Sequence, residues 1–217
     1  MILTNREIEE LIGETELNLE GSLRNPKIKS YLLNYKYDET KLAEGQGLVQ
    51  EAKSFYQKRI TEGGSQLVAT SLLEKAIEEF KPVYNEHLTL GRLILKHQPE
   101  KMAQFSISGE RKHDFTGYVL QAENFYETVI ADEEMLTQYD GLGVTKENLE
   151  NGLALIAKIR DANFDQEGAK SAAQAATFDR NHVVSKLADW ASDFRVILKL
   201  ALAPEPQLLE AAGIVAK

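Results

Sequence analysis

Cysteine is missing altogether from this chain, which removes disulfides, thiolate metal sites and a cysteine nucleophile at once. Proline is scarce, five in 217 residues, so helices can run long before one interrupts them. Basic residues are in deficit: 25 Lys and Arg stand against 34 Asp and Glu, a formal charge of −9. Nucleic-acid affinity rests on cations that neutralise phosphates, and an acidic surface also repels anionic lipid, so neither partner is expected. No apolar run approaches the roughly 18–20 residues of a membrane span. The opening, MILTNREIEELIGE, turns charged within six residues and lacks the apolar core of a secretory signal, so a cytoplasmic location is expected. G-x-S-x-G, H-E-x-x-H and Walker patterns are also missing. No catalytic residue and no cofactor is therefore assigned.

What the chain does have is a repeat. At an offset of 107 residues its two halves align without a gap. Leu42, Gly45 and Leu48 fall on Leu149, Gly152 and Leu155; Ala69 and Thr70 fall on Ala176 and Thr177; Pro99 and Ile107 fall on Pro206 and Ile214. Self-similarity at a fixed period dictates architecture. Repeat one spans residues 1–107 and repeat two 108–217, and the expectation is that they pack as one intertwined domain.

Each repeat opens with a short amphipathic helix. Thr4 and Glu7 form a T-x-x-E capping box ahead of Ile8, Leu11 and Ile12, a pattern that satisfies unpaired N–H groups at a helix start. The matching stretch, His113 to Val129, presents Phe115, Tyr118, Val119, Ala122, Phe125 and Tyr126. A second short helix starts at Asn25-Pro26 and, in repeat two, at Asp132. Repeat two is then expected to diverge in a loop at Asp140-Gly141-Leu142-Gly143.

The third element follows Asp38, or Thr145 in repeat two. A stripe runs from Gly45 through Val49, Ala52, Tyr56, Arg59 and Gly63 to Thr70, Ile77, Phe80, Tyr84, His87 and Ile94. Steps of three and four residues over that length predict a continuous helix of about 60 residues with coiled-coil packing. Pro82 should kink it, and Gly63-Gly64 or Gly168 could instead turn it into a hairpin. The fold class that follows is all-α: an internally duplicated, elongated helical bundle with long coiled-coil-like helices.

Two spacings carry candidate chemistry. Glu110 with His113, and Asp179 with His182, have the acid-x-x-His spacing that di-iron bundles aim inward. A complete site needs further carboxylates, and 34 acidic residues make such pairs easy to meet by chance. Arg92 with His97 resembles the Arg and His spacing of HEPN-type ribonucleases, although a guanidinium and an imidazole near a helix C-terminus also suit the helix dipole. Arg59, Gln66, His87, Gln174 and Arg180 on or beside the stripes suggest buried polar groups that fix register. Tyr31, Tyr35, Tyr37, Phe55 and Tyr56 read as core.

Tyr35-x-Tyr37-Asp38-x-x-x-Leu42-x-Glu44-Gly45, Gln121-Ala122-x-x-Phe125-Tyr126 and the stretch Pro206 to Glu210 with Gly213-Ile214 resemble a family of bacterial all-helical proteins with no assigned function. That resemblance implies a helical fold and assigns no active residue. The functional expectation is a non-enzymatic structural or protein-interaction protein, with a protein partner or self-association, and a ligand- or metal-binding bundle as the alternative.

Overall fold

Local chemistry starts each helix of the computed structural model, which describes residues 3–214. α1 (Asn5–Arg24) begins at Thr4. The Thr4 hydroxyl accepts from the Glu7 N–H at 3.3 Å, and the Glu7 carboxylate accepts from the Thr4 N–H at 2.7 Å, the expected capping box. α2 (Pro26–Leu33) follows Asn25, which caps the Lys27 and Ile28 N–H groups. α3 (Glu39–Ile94) follows Asp38, whose carboxylate accepts from the Lys41 N–H at 2.9 Å. After α4 (Pro99–Gln104), α5 (Phe115–Ala131) follows its cap Asp114 and starts two residues after His113, where the sequence reading opens this stretch. α6 (Glu133–Asp140), α7 (Lys146–Ala201) and α8 (Gln207–Ala211) complete the order. The chain is all-α: among the described residues there is no strand.

α3 and α7 each run unbroken for 56 residues, through Gly63-Gly64 in one and Gly168 in the other. Pro82 lies inside α3, which leaves one carbonyl of the helix ladder without its donor. The stripe along α3 is buried at Gly45, Val49, Ala52, Phe80, Tyr84, His87 and Gly91, and half-buried from Tyr56 to Ile77. Spacing alone located the inward face of a 56-residue helix.

The chain divides into two compact units, and each draws on both halves of the sequence: residues 1–64 with 170–217, and residues 65–169. In the first, α1 contributes Ile8, Ile12 and Leu19, α2 Ile28 and Leu32, α3 Leu42, Val49 and Ala52, and α7 Leu187, Trp190, Phe194 and Leu198. Here α3 runs antiparallel to α1 (Lys53 to Glu16, Tyr56 to Glu9) and to α7 (Gly45 against Trp190, Lys58 to Asp179). In the second unit the core is aromatic. Phe80 and Tyr84 of α3 stack at 5.1 Å, and Phe125 and Tyr126 of α5 meet edge to face at 4.9 Å. Tyr139 of α6 donates to the His87 carbonyl at 2.7 Å. Each such ring buries enough apolar area for about 1.5–3 kcal/mol.

Two details correct the sequence reading. Tyr35 is exposed, whereas Tyr31, Tyr37, Phe55 and Tyr56 are half-buried against the core of their unit. The turn at residues 140–143 is no divergence either. Val144 N–H donates to the Tyr139 carbonyl at 3.0 Å, as Tyr37 N–H does to Leu32 at 3.1 Å. Gly143 and Lys36 both take left-handed backbone there, φ 84° and 62°. Glycine takes that conformation without the steric cost that a Cβ imposes on Lys36.

Candidate binding surface

The loop between α4 and α5 is fastened by one side chain. Arg111 donates from Nη1 to the Tyr84 hydroxyl at 2.9 Å and to the Ser106 carbonyl at 3.2 Å, and from Nη2 to the Ile107 carbonyl at 3.2 Å. Ser106 adopts φ 55° to bring those carbonyls round. Arg92, in the last turn of α3, reaches the same loop through the Ile107 carbonyl at 3.4 Å. Each guanidinium therefore meets neutral oxygens, and among the described residues neither is ion-paired with a carboxylate.

A cleft of about 460 Å³ opens beside this loop in the second unit. Its charged lining is cationic: Lys81 from α3, then Arg111 and Lys112, with His113 beside them. Ile77, Phe115 and Tyr118 supply the apolar remainder. Burial pushes the Tyr118 phenol up to about 12, with the Arg111 charge pulling the other way, so it stays a hydrogen-bond donor at neutral pH. In a chain of net charge −9, this concentration of cations runs against the whole-molecule field.

On the other side of Phe115 lies an apolar groove of about 450 Å³ between α5 and α7. Phe115, Val119, Leu120 and Phe164 line it, with Arg160, Asn163 and Glu167 among the polar residues at its edge. Phe164 is 79% exposed and Leu120 52%. Large apolar side chains so open to water, rimmed by polar ones, make this groove a candidate interaction surface. Another cavity, about 380 Å³ near the start of α3, contains Lys29, which already pairs with Glu39 at 3.0 Å.

The residues that spacing singled out as chemistry lie in differing settings. Glu110 and His113 are exposed in the α4–α5 loop, and His113 lines the cleft beside it. Asp179 faces Lys58 at 3.8 Å, and His182 is exposed on α7. Among the described residues no three His, Asp or Glu side chains gather as a metal site would require. Arg92 holds the loop, and His97 sits beyond the end of α3 at Ile94. His87 is buried and neutral: burial lowers its pKa, and its Nδ1 is hydrogen-bonded to the Tyr126 hydroxyl at 3.0 Å.

Lys81, Arg111, Lys112, Leu120 and Phe164 are the residues that sequence reasoning missed. A signal existed for some of them, since Arg111-Lys112-His113 is a basic triplet in an acid-rich chain. Nothing in the sequence sets Lys81 beside it, because the two lie on different elements. Among the described residues no helix is long and apolar enough to cross a membrane. Compared with models of known protein families, with curated proteins and with solved structures, the chain matches none.

Proposed function

We propose that this is a non-enzymatic helical interaction protein whose partner is a protein segment carrying both acidic and apolar side chains. The observation that carries the reading is that Phe115 lines the cationic cleft and the apolar groove alike. A segment lying across Phe115 would set carboxylates against Lys81, Lys112 and His113, and apolar side chains against Leu120 and Phe164. The acid excess of the chain favours such a partner over nucleic acid, and the absence of cysteine suits a reducing cytoplasm.

The tandem duplication belongs to the same proposal. α6 and α7 start and end 107 residues after α2 and α3. The left-handed residues also recur at that interval, Gly143 after Lys36 and Gly213 after Ser106. The duplicated helices, packed in coiled-coil fashion, serve as a scaffold, while the binding residues are particular to one copy: Ala188 stands where Lys81 would recur, and Thr4, Asn5 and Arg6 correspond to Arg111, Lys112 and His113.

A photo-crosslinking residue at Thr116, which lines the groove, tests the proposal in cells. One discrete adduct that disappears with Phe164→Ser and with Lys81→Glu/Lys112→Glu is expected. An adduct pattern identical to that from a crosslinker at the exposed Gly47 would sink the reading.

A further inference from the structure

The cleft beside the α4–α5 loop has donors without acceptors. Lys81 and Lys112 are exposed along its lining, and among the described residues neither ammonium group makes an ion pair or a hydrogen bond. Tyr118 is half-buried in the same lining, and its hydroxyl has no hydrogen-bond partner among those residues either. Its ring packs edge-on against Phe80 and Tyr84, at 6.1 and 5.8 Å between ring centres, so packing rather than a polar contact holds the phenol in place. Arg111 directs its Nη groups to the Tyr84 hydroxyl and the loop carbonyls, and so gives the cleft its charge.

Among the described residues no Asp or Glu lines the cleft. Asp114, next to Phe115 in the chain, is turned to the start of α5, where it accepts from the Gly117 N–H at 2.7 Å. Three cations and three unspent donors therefore select the headgroup. A carboxylate brings one charge and two oxygens, whereas a phosphate monoester brings about 1.5 to 2 negative charges at neutral pH and three acceptor oxygens. The walls select the body. Ile77, Phe115 and the Tyr118 ring are apolar, and a volume of about 460 Å³ lies within the roughly 300–1,000 Å³ of sites that hold an organic ligand.

We infer that this cleft binds an aryl phosphate monoester, whose phosphate oxygens accept from Lys81, Lys112 and the Tyr118 hydroxyl while its ring lies on Phe115 and Ile77. This ligand class rests on the reading of the cleft as a recognition surface and narrows the acidic group recognised there. A carboxylate on the partner segment would meet the same cations but leave donors unspent. The phosphate has two possible sources, a phosphorylated tyrosine on that segment or a free small molecule, and the chemistry of recognition is common to both.

The test is calorimetric titration of the full chain with phenyl phosphate at neutral pH and constant ionic strength. One equivalent is expected to bind. Inorganic phosphate, which lacks the ring, and benzoate, which lacks the second charge, should each bind at least about tenfold more weakly. Lys81→Gln and Lys112→Gln should each weaken phenyl phosphate about tenfold, the loss of a charge-assisted hydrogen bond, and Tyr118→Phe by a smaller factor. None of the three side chains has a polar partner to lose, so melting temperatures should hold and the losses report binding. Lys75→Gln, exposed on α3 outside the cleft, should change nothing. A peptide with leucine beside a phosphotyrosine separates the sources. Affinity gained over phenyl phosphate and lost in Phe164→Ser assigns the phosphate to a protein segment; equal affinity assigns it to a free molecule. Phenyl phosphate binding no tighter than inorganic phosphate, or unaltered by the Lys81, Lys112 and Tyr118 substitutions, would overturn the inference. A Thr116 adduct that persisted in that case would leave the partner reading standing, whereas phenyl phosphate binding without any discrete adduct would remove the partner and keep the ligand.

Discussion

The indole of Trp190 on α7 lies against the backbone of α3 at Gly45, in space that any side chain at residue 45 would occupy. The same ring lies tilted against Phe194, 4.8 Å between ring centres, in the core of the first unit. A rigid ring cannot swing aside as a flexible chain end can. Gly45→Ala should therefore destabilise by about 1–3 kcal/mol, the usual range for overpacking. Gly47, two residues on, faces open space, and Gly47→Ala should stabilise by about 0.5–1 kcal/mol through helix propensity. Trp190 is the sole tryptophan, so denaturation followed by its fluorescence measures both. Equal effects from the two substitutions would contradict the packing.

Lys36 offers a stabilising change. It holds φ 62° in a turn whose counterpart carries Gly143 at φ 84°, and its side chain is exposed. A non-glycine residue in left-handed backbone costs roughly 1–2 kcal/mol, partly offset by the greater entropy glycine loses on folding. Lys36→Gly should raise stability by about 0.5–1 kcal/mol, and Gly143→Lys should lower it by a similar amount. A destabilised Lys36→Gly protein would mean that the lysine side chain makes a contact worth more than the strain.

Much of the fold could be read before any coordinates, for a physical reason: helix starts are local. Thr4, Asn25, Asp38, Asp132 and Thr145 each cap through side-chain oxygens a few residues from the amides they serve. The inward stripe was legible because burial along a straight helix repeats at its own period. The candidate surface was not legible, since Lys81 and Arg111, or Leu120 and Phe164, come together only through packing between elements. Exposure is equally nonlocal. Phe164 fits a helix pattern as well as Phe80 does, yet one is 79% exposed and the other fully buried.

His87 should make stability depend on mild acidity. Its ring is buried beside Tyr126, at 5.7 Å between ring centres, and desolvation lowers its pKa below the ordinary 6.5, with Glu86 opposing weakly. In the window between those two values the unfolded chain binds a proton that the native state refuses. Stability is therefore fully present above about pH 6.5 and falls as the pH drops towards the lowered value. Denaturant midpoints measured from pH 7.5 to 5 should show that slope, and His87→Gln should flatten it. A slope unchanged by the substitution would assign the acid sensitivity to other groups.

Arg111 has two roles that substitution can separate. Its fork binds the Tyr84 hydroxyl and the carbonyls of Ser106 and Ile107, while its charge faces the cleft. Arg111→Met removes both, leaving loop carbonyls and a buried phenol without their donor, and should destabilise by about 1–3 kcal/mol. Arg111→Lys keeps the charge but cannot span three oxygens from one planar group. Hydrogen exchange at the loop amides should therefore quicken in both variants. Capture of the acidic segment proposed as partner should fail with methionine and survive, weakened, with lysine. If lysine restored slow exchange as well, the loop would be held by charge alone and the fork geometry would be irrelevant to it.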